Sequence, residues 1–136
     1  MSVEYNHIPD IMKIIVNEIS EAVQAIPALI ENDIKANMMK PHGGRMYKRR
    51  SVTHQASAPG EAPAVDGSTL INSFQKKSPD AMHSEIYSEE EYSLALELGR
   101  PEVNLEPRPY MVPAAKVAWK ETVKSMQKMA RRIENV

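Results

Sequence analysis

The chain has 136 residues, 17 basic and 18 acidic side chains, a formal net charge of -1 and no cysteine. That length suits one domain burying roughly two thirds of the surface its unfolded form exposes. The missing thiols exclude disulfides, thiolate metal centres and a cysteine nucleophile, and near-neutrality leaves no whole-molecule field to draw nucleic acid or an anionic membrane.

From Ile11 onward, apolar residues recur at Ile11, Ile15, Ile19, Val23, Ile26, Ile30 and Ile34. This three-to-four spacing predicts an amphipathic helix over 10–39. Pro27 removes one helical hydrogen bond and crowds the preceding turn, so a kink or break is expected near Ile26. Pro41 and Gly43-Gly44 stop the helix. Residues 45–67 read as an extended arm and loop, polar on both faces at first and then rich in proline and glycine. Two short runs within 70–88 read as a hairpin turning at Ser78-Pro79-Asp80. Ser88 and Glu91 form a capping-box pattern for a short helix over 89–98, closed by Gly99. A C-terminal helix is predicted over 113–134, with Pro113 in its first turn and Arg131 and Arg132 in its last. Its apolar face is expected to comprise Val112, Ala115, Trp119, Val123, Met126, Ala130 and Ile133. The fold class is therefore α+β: a small, mainly antiparallel sheet packed by a long N-terminal helix and a C-terminal helix, with an extended arm.

Few residues offer chemistry. His7, His42, His54 and His83 are scattered, with no pair one helical turn apart, and predict no metal site. Glu89, Glu90 and Glu91 suit the N-terminal charges of a short helix. No phosphate loop, dinucleotide fingerprint or serine elbow occurs. No enzyme and no cofactor are expected. No apolar run nears the roughly 20 residues that cross a bilayer, and the N-terminus has no signal-peptide pattern, so neither membrane nor export is expected. The one concentrated basic patch is Arg45, Lys48, Arg49 and Arg50 around Tyr47, which reads either as a phosphate grip or as an arm pairing with acids of a neighbour. Trp119, Met126 and Met129 read as core or helix-contact residues.

Across 49–72 the order Arg-Arg-x-x-Thr-His-x-Ala-Ser-Ala-Pro-Gly-Glu-x-Pro-Ala-Val-Asp-Gly-x-x-Leu-x-Asn resembles the signature of a small tailed-phage family of tail-component and neck proteins. Downstream, Tyr92 with Leu96-Glu97-Leu98-Gly99 resembles that family's Tyr-Ala...Leu-Glu-Phe-Gly block. Arg108-Pro109-Tyr110-Met111-Val112-Pro113-Ala114 resembles its Arg-Pro-Phe-Leu-x-Pro-Ala block. The blocks occur in order over 49–114, about half the chain. The chain departs where the family has Thr-Gly or Ser-Gly after the aspartate, here Asp66-Gly67-Ser68, and where Leu98 replaces an aromatic.

The resemblance implies an α/β subunit assembled as a ring in the virion neck, made in the host bacterial cytoplasm, joining the DNA-filled head to the tail. It implies a closed ring of itself, hexameric or dodecameric. The implied neighbours are a head-completion or connector protein and a tail terminator or tube protein, with double-stranded DNA passing through the lumen without sequence-specific binding. Expected subunit or partner contacts are Arg49, Arg50, His54, Ser57, Pro59, Gly60, Glu61, Pro63, Asp66, Glu97 and Arg108. Residues 57–66 are expected to reach a neighbour, and Glu97 and Arg108 to pair or to cap backbone groups. A tail terminator ring is the first alternative reading, and a nucleic-acid-binding module using the basic arm the second.

Overall fold

An apolar side chain at every third or fourth position carries the first helix through its proline. The computed structural model describes residues 8–66 and 69–135, with the side chain of Arg49 outside what is described. Helix α1 spans Ile8–Met38 as one α-helix with Pro27 inside and buried. Of the expected kink or break, the break is absent, since the helix is continuous across Pro27. The carbonyl of Val23, which a residue-27 amide would have engaged, accepts instead from the Ser84 hydroxyl at 2.6 Å. An outside donor satisfies the acceptor that an interior proline strands.

Strands β1 (Met46–Arg49) and β2 (Val52–Gln55) form one antiparallel ribbon, and β3 (Phe74–Asp80) and β4 (His83–Ser88) another. Among the described residues these are two separate two-stranded sheets rather than one sheet. Two strands alone are marginal in water, and each ribbon leans on the rest of the chain. The second turns at Ala81-Met82, not at the expected Ser78-Pro79-Asp80: β3 runs through Pro79, where its register slips between Lys77 and Asp80. A bulge at an edge is where a strand tolerates a residue lacking an amide hydrogen. The turn is held to α1, with Ser20 Oγ donating to the Ala81 carbonyl at 2.8 Å and Gln24 Nε2 to the Asp80 carbonyl at 3.0 Å. Glu31 on α1 pairs with Lys35 and with Lys76 of β3.

Helix α2 is shorter than expected, Ser93–Leu98, and the Ser88–Glu91 capping box does not form. Ser88 Oγ instead meets Ser73 Oγ at 2.7 Å and accepts from the Glu90 amide at 3.2 Å, because the chain makes a turn before the helix starts. Gly99 closes α2 at φ 78°, and a β-carbon there would sit 2.8 Å from Pro107 Cδ. A 3-10 turn at Pro101–Val103 leads on to α3, Met111–Glu134.

Helices α1 and α3 lie antiparallel: Ile34 and Ala114 share the core at one end, and Arg132 meets Glu18 at 3.3 Å towards the other. The core is Ile30, Ile34, Met38, Leu70, Phe74, Tyr110, Ala114 and Ala118. Burying a side chain such as Ile34 contributes roughly 1.5–3 kcal/mol relative to leaving it exposed. The inward face of α3 differs from the expected one. Ala114 and Ala118 are buried, whereas Trp119 is 66% exposed and Val112 is 51% exposed. Alanine allows two backbones to approach closely, and an indole between them would hold them apart.

Candidate functional site

Three sequence blocks converge at the start of α3, and the convergence is built largely from backbone hydrogen bonds. The first turn of a helix leaves amides without internal partners, and the residue before α3, Tyr110, supplies no side-chain cap. The Glu97 carboxylate from α2 accepts from the Tyr110 amide at 2.7 Å, Met111 at 2.9 Å and Val112 at 3.0 Å. Negative charge at this end also favours the helix dipole. Tyr110 closes the junction from inside: its hydroxyl donates to the Ser93 carbonyl at 3.0 Å, its ring lies 6.0 Å from Phe74, and burial pushes its phenol above the ordinary range.

Arg108 ties the loop of residues 57–66 to this junction. Its amide donates to the Leu96 carbonyl at 2.7 Å. Its guanidinium reaches the carbonyls of Ser57, with Nε and Nη2 each at 3.4 Å, and of Glu106, with Nη1 at 3.0 Å. Glu97 and Arg108 thus each serve backbone groups and do not pair with one another. Gly60, at φ 83°, donates its amide to the Pro107 carbonyl at 3.0 Å.

Glu61 secures the other side of the loop. It accepts from the Ala58 amide at 2.8 Å and the Gly43 amide at 3.1 Å, and lies 3.3 Å from His42 Nδ1. These contacts hold its carboxyl below the ordinary glutamate range, the Ala58 amide foremost, then Gly43 and His42. His42 Nε2 is 2.9 Å from the Met38 carbonyl, so the histidine ring bridges the end of α1 to Glu61. Gly44 runs so close to the chain just after β2 that a β-carbon would sit 2.4 Å from the Ala56 carbonyl oxygen, a contact only glycine avoids.

Residues 57–66, expected to reach a neighbour, are in one copy an ordered loop packed on their own chain. Ser57 and Pro63 are buried, and Ser57, Gly60 and Glu61 are each engaged by their own chain. Proline restricts the backbone equally well for docking onto one's own body. Asp66 accepts from the Tyr47 hydroxyl at 2.7 Å, and Tyr47 stacks on His54 at 5.8 Å, joining the loop to the β1–β2 ribbon. What this region presents outward is Pro59, Gly60 and the ribbon tip, where Arg50 is exposed at φ 58°. A left-handed arginine is unusual, but a two-residue hairpin turn calls for that conformation. The Arg49 side chain lies outside the described residues.

Sequence reasoning missed Ser84, Glu31 and Tyr110 as fasteners. For Ser84 no local pattern could have flagged it, since it acts on a distant element; for Glu31 the Lys35 spacing is a local signal, but the contact with Lys76 is not. Among the described residues, no group of three His, Asp or Glu could hold a metal ion, and no helix is long and apolar enough to cross a membrane. The chain matches no protein-family model, no curated protein and no solved structure.

Proposed function

We propose that this chain is a non-enzymatic structural subunit of a tailed-phage neck, a tail completion or head-tail joining protein that works as a ring around the DNA channel. The carrying observation is apolar surface that one copy leaves uncovered. On the first half of α1, Ile8 is 67% exposed, Met12 54%, Ile14 47% and Val16 45%. A helix apolar on several sides belongs in an interior, and in a small chain the missing interior is supplied by neighbours. Contacts between unlike surfaces generate a ring where the rotation closes. The resemblance of residues 49–114 to neck proteins supports the same reading, since its three blocks meet at one junction that orients α3.

Particle imaging with a labelled copy of the chain tests this reading. The label is expected between head and tail, and particles made without the chain should accumulate as unjoined heads and tails. A label elsewhere on the particle, or joined particles formed without the chain, would refute it.

A further inference from the structure

The outer face of α3 is neither core nor neutral surface. Lys116, Lys120, Lys124 and Lys128 follow one another at four-residue spacing, which lays them in a gently drifting stripe along the helix. All four are exposed; Lys116 and Lys120 lie on the side away from the buried Ala114 and Ala118, and the stripe drifts until Lys128 borders the groove against α1. Beside the stripe, Trp119 is 66% exposed and Val117 41%. Over its length α3 carries six basic and two acidic side chains.

The same chain carries a surface of opposite character. Residues 89–106 hold six glutamates and one arginine. Of these glutamates, Glu97 is occupied in capping α3, while Glu89, Glu91 and Glu102 are exposed. Among them stand Leu94 and Leu98, each 66% exposed, and Val103, 63% exposed. None of the four lysines or these three exposed glutamates is in an ion pair among the described residues. Each surface thus mixes large apolar side chains with unpaired charge, the sign being negative on one and positive on the other.

We infer that α3 of one copy docks on residues 89–106 of the next, with Trp119 and Val117 against Leu94, Leu98 and Val103, and the lysine stripe against the glutamates. The occupant is a second copy of this chain. Complementary charge specifies the pairing and its register, and the apolar side chains bury together. Because the two surfaces are unlike, the contact is head to tail, the kind that propagates around a ring. A polyanion such as duplex DNA would also meet the lysines, but it would leave Trp119 and Val117 without an apolar counterpart. The inference deepens the neck-subunit reading and rests on it for the ring.

Charge exchange tests it. The variant K120E/K124E spoils the basic surface, and E89K/E91K spoils the acidic one. Sedimentation velocity at rising concentration should show self-association of the parent chain and roughly tenfold weaker association of each variant alone. An equimolar mixture of the two variants should recover it, since every contact in an alternating assembly is again between opposite charges. An uncharged pair, L98S and W119S, should weaken association as well, and circular dichroism should match the parent for all variants because every altered side chain is exposed. Association that ignores the charge variants, or a mixture that does not recover, would overturn the assignment of surfaces. So would loss of duplex DNA binding in K120E/K124E with association unchanged. Each of these outcomes leaves the neck location to be decided by particle imaging, so the two readings fail separately.

Discussion

The Ser84 hydroxyl donates to the Val23 carbonyl at 2.6 Å, taking the place of the amide hydrogen that Pro27 lacks. Position 27 is four residues beyond 23, so the proline strands this acceptor inside a helix that otherwise satisfies itself. The β3–β4 ribbon is therefore attached to α1 at the place where α1 cannot complete its own bonding, and Ser20 and Gln24 extend the attachment by one turn.

Ser84→Ala should cost roughly 1–3 kcal/mol, the range for leaving a part-buried acceptor unsatisfied. In a Pro27→Ala background the restored amide can serve Val23, so the same Ser84→Ala change should cost much less. Urea unfolding of the four variants in a double-mutant cycle measures the coupling. Equal costs in both backgrounds would show that the hydroxyl does not compensate for the proline.

Glu97→Ala removes the acceptor for three amides at the start of α3. A loss of about 1–2 kcal/mol is expected, as for a strong helix cap, with Glu97→Gln intermediate because it keeps an oxygen but not the charge. Chemical denaturation gives the magnitude, and amide exchange at Met111 and Val112 should accelerate before the rest of α3. Unchanged exchange there would contradict a capping role.

Acid should loosen the loop around Glu61 and the seam around Glu31. Both carboxyls are held below the ordinary value of 4.5 when folded, Glu61 chiefly by the Ala58 and Gly43 amides and Glu31 by Lys35 and Lys76. A folded value below the unfolded one means the native state is the weaker proton binder. The stabilisation is then complete above 4.5 and is lost as pH falls through the lowered folded values. Thermal unfolding followed from about pH 6 to about pH 3 should show a falling midpoint. Glu61→Gln and Glu31→Gln should each flatten that fall. A parent-like acid slope in both variants would exclude these two groups as its source.

Removing residues 57–63 should destabilise the subunit rather than spare it. The segment contains the buried Ser57 and Pro63, and Ala62 packs against the core. Reduced helical signal and precipitation of the deleted chain are expected. A deleted chain that unfolds at the parent's midpoint would show that this loop adds nothing to the subunit's own stability.

Changing Ile8, Met12 and Ile14 to Ser should leave the isolated chain folded, since all three are exposed, but should block its incorporation into particles. Circular dichroism reads the first effect and particle composition the second. Full incorporation of the variant would remove the main support for assembly through the first half of α1.

Periodicity in the sequence was enough to find α1 and α3 with ends within two residues of those observed, because a hydrophobic stripe is a local property of one helix. Glycine 99 marked the end of α2 for the same reason, a backbone conformation set at one position. What tertiary structure alone decided was which groups complete one another across distance. Pro27 read as a kink or a break because its stranded carbonyl has no local partner; the helix is continuous, and Ser84 arrives from 61 residues away to serve that carbonyl. Trp119 read as core because it is apolar, yet the closeness of α1 admits only Ala114 and Ala118 on the inner face. Residues 57–66 read as a segment that reaches a neighbour because proline restricts the backbone without giving it a direction, and it is Arg108, Pro107 and Gly43 that hold this segment against its own chain.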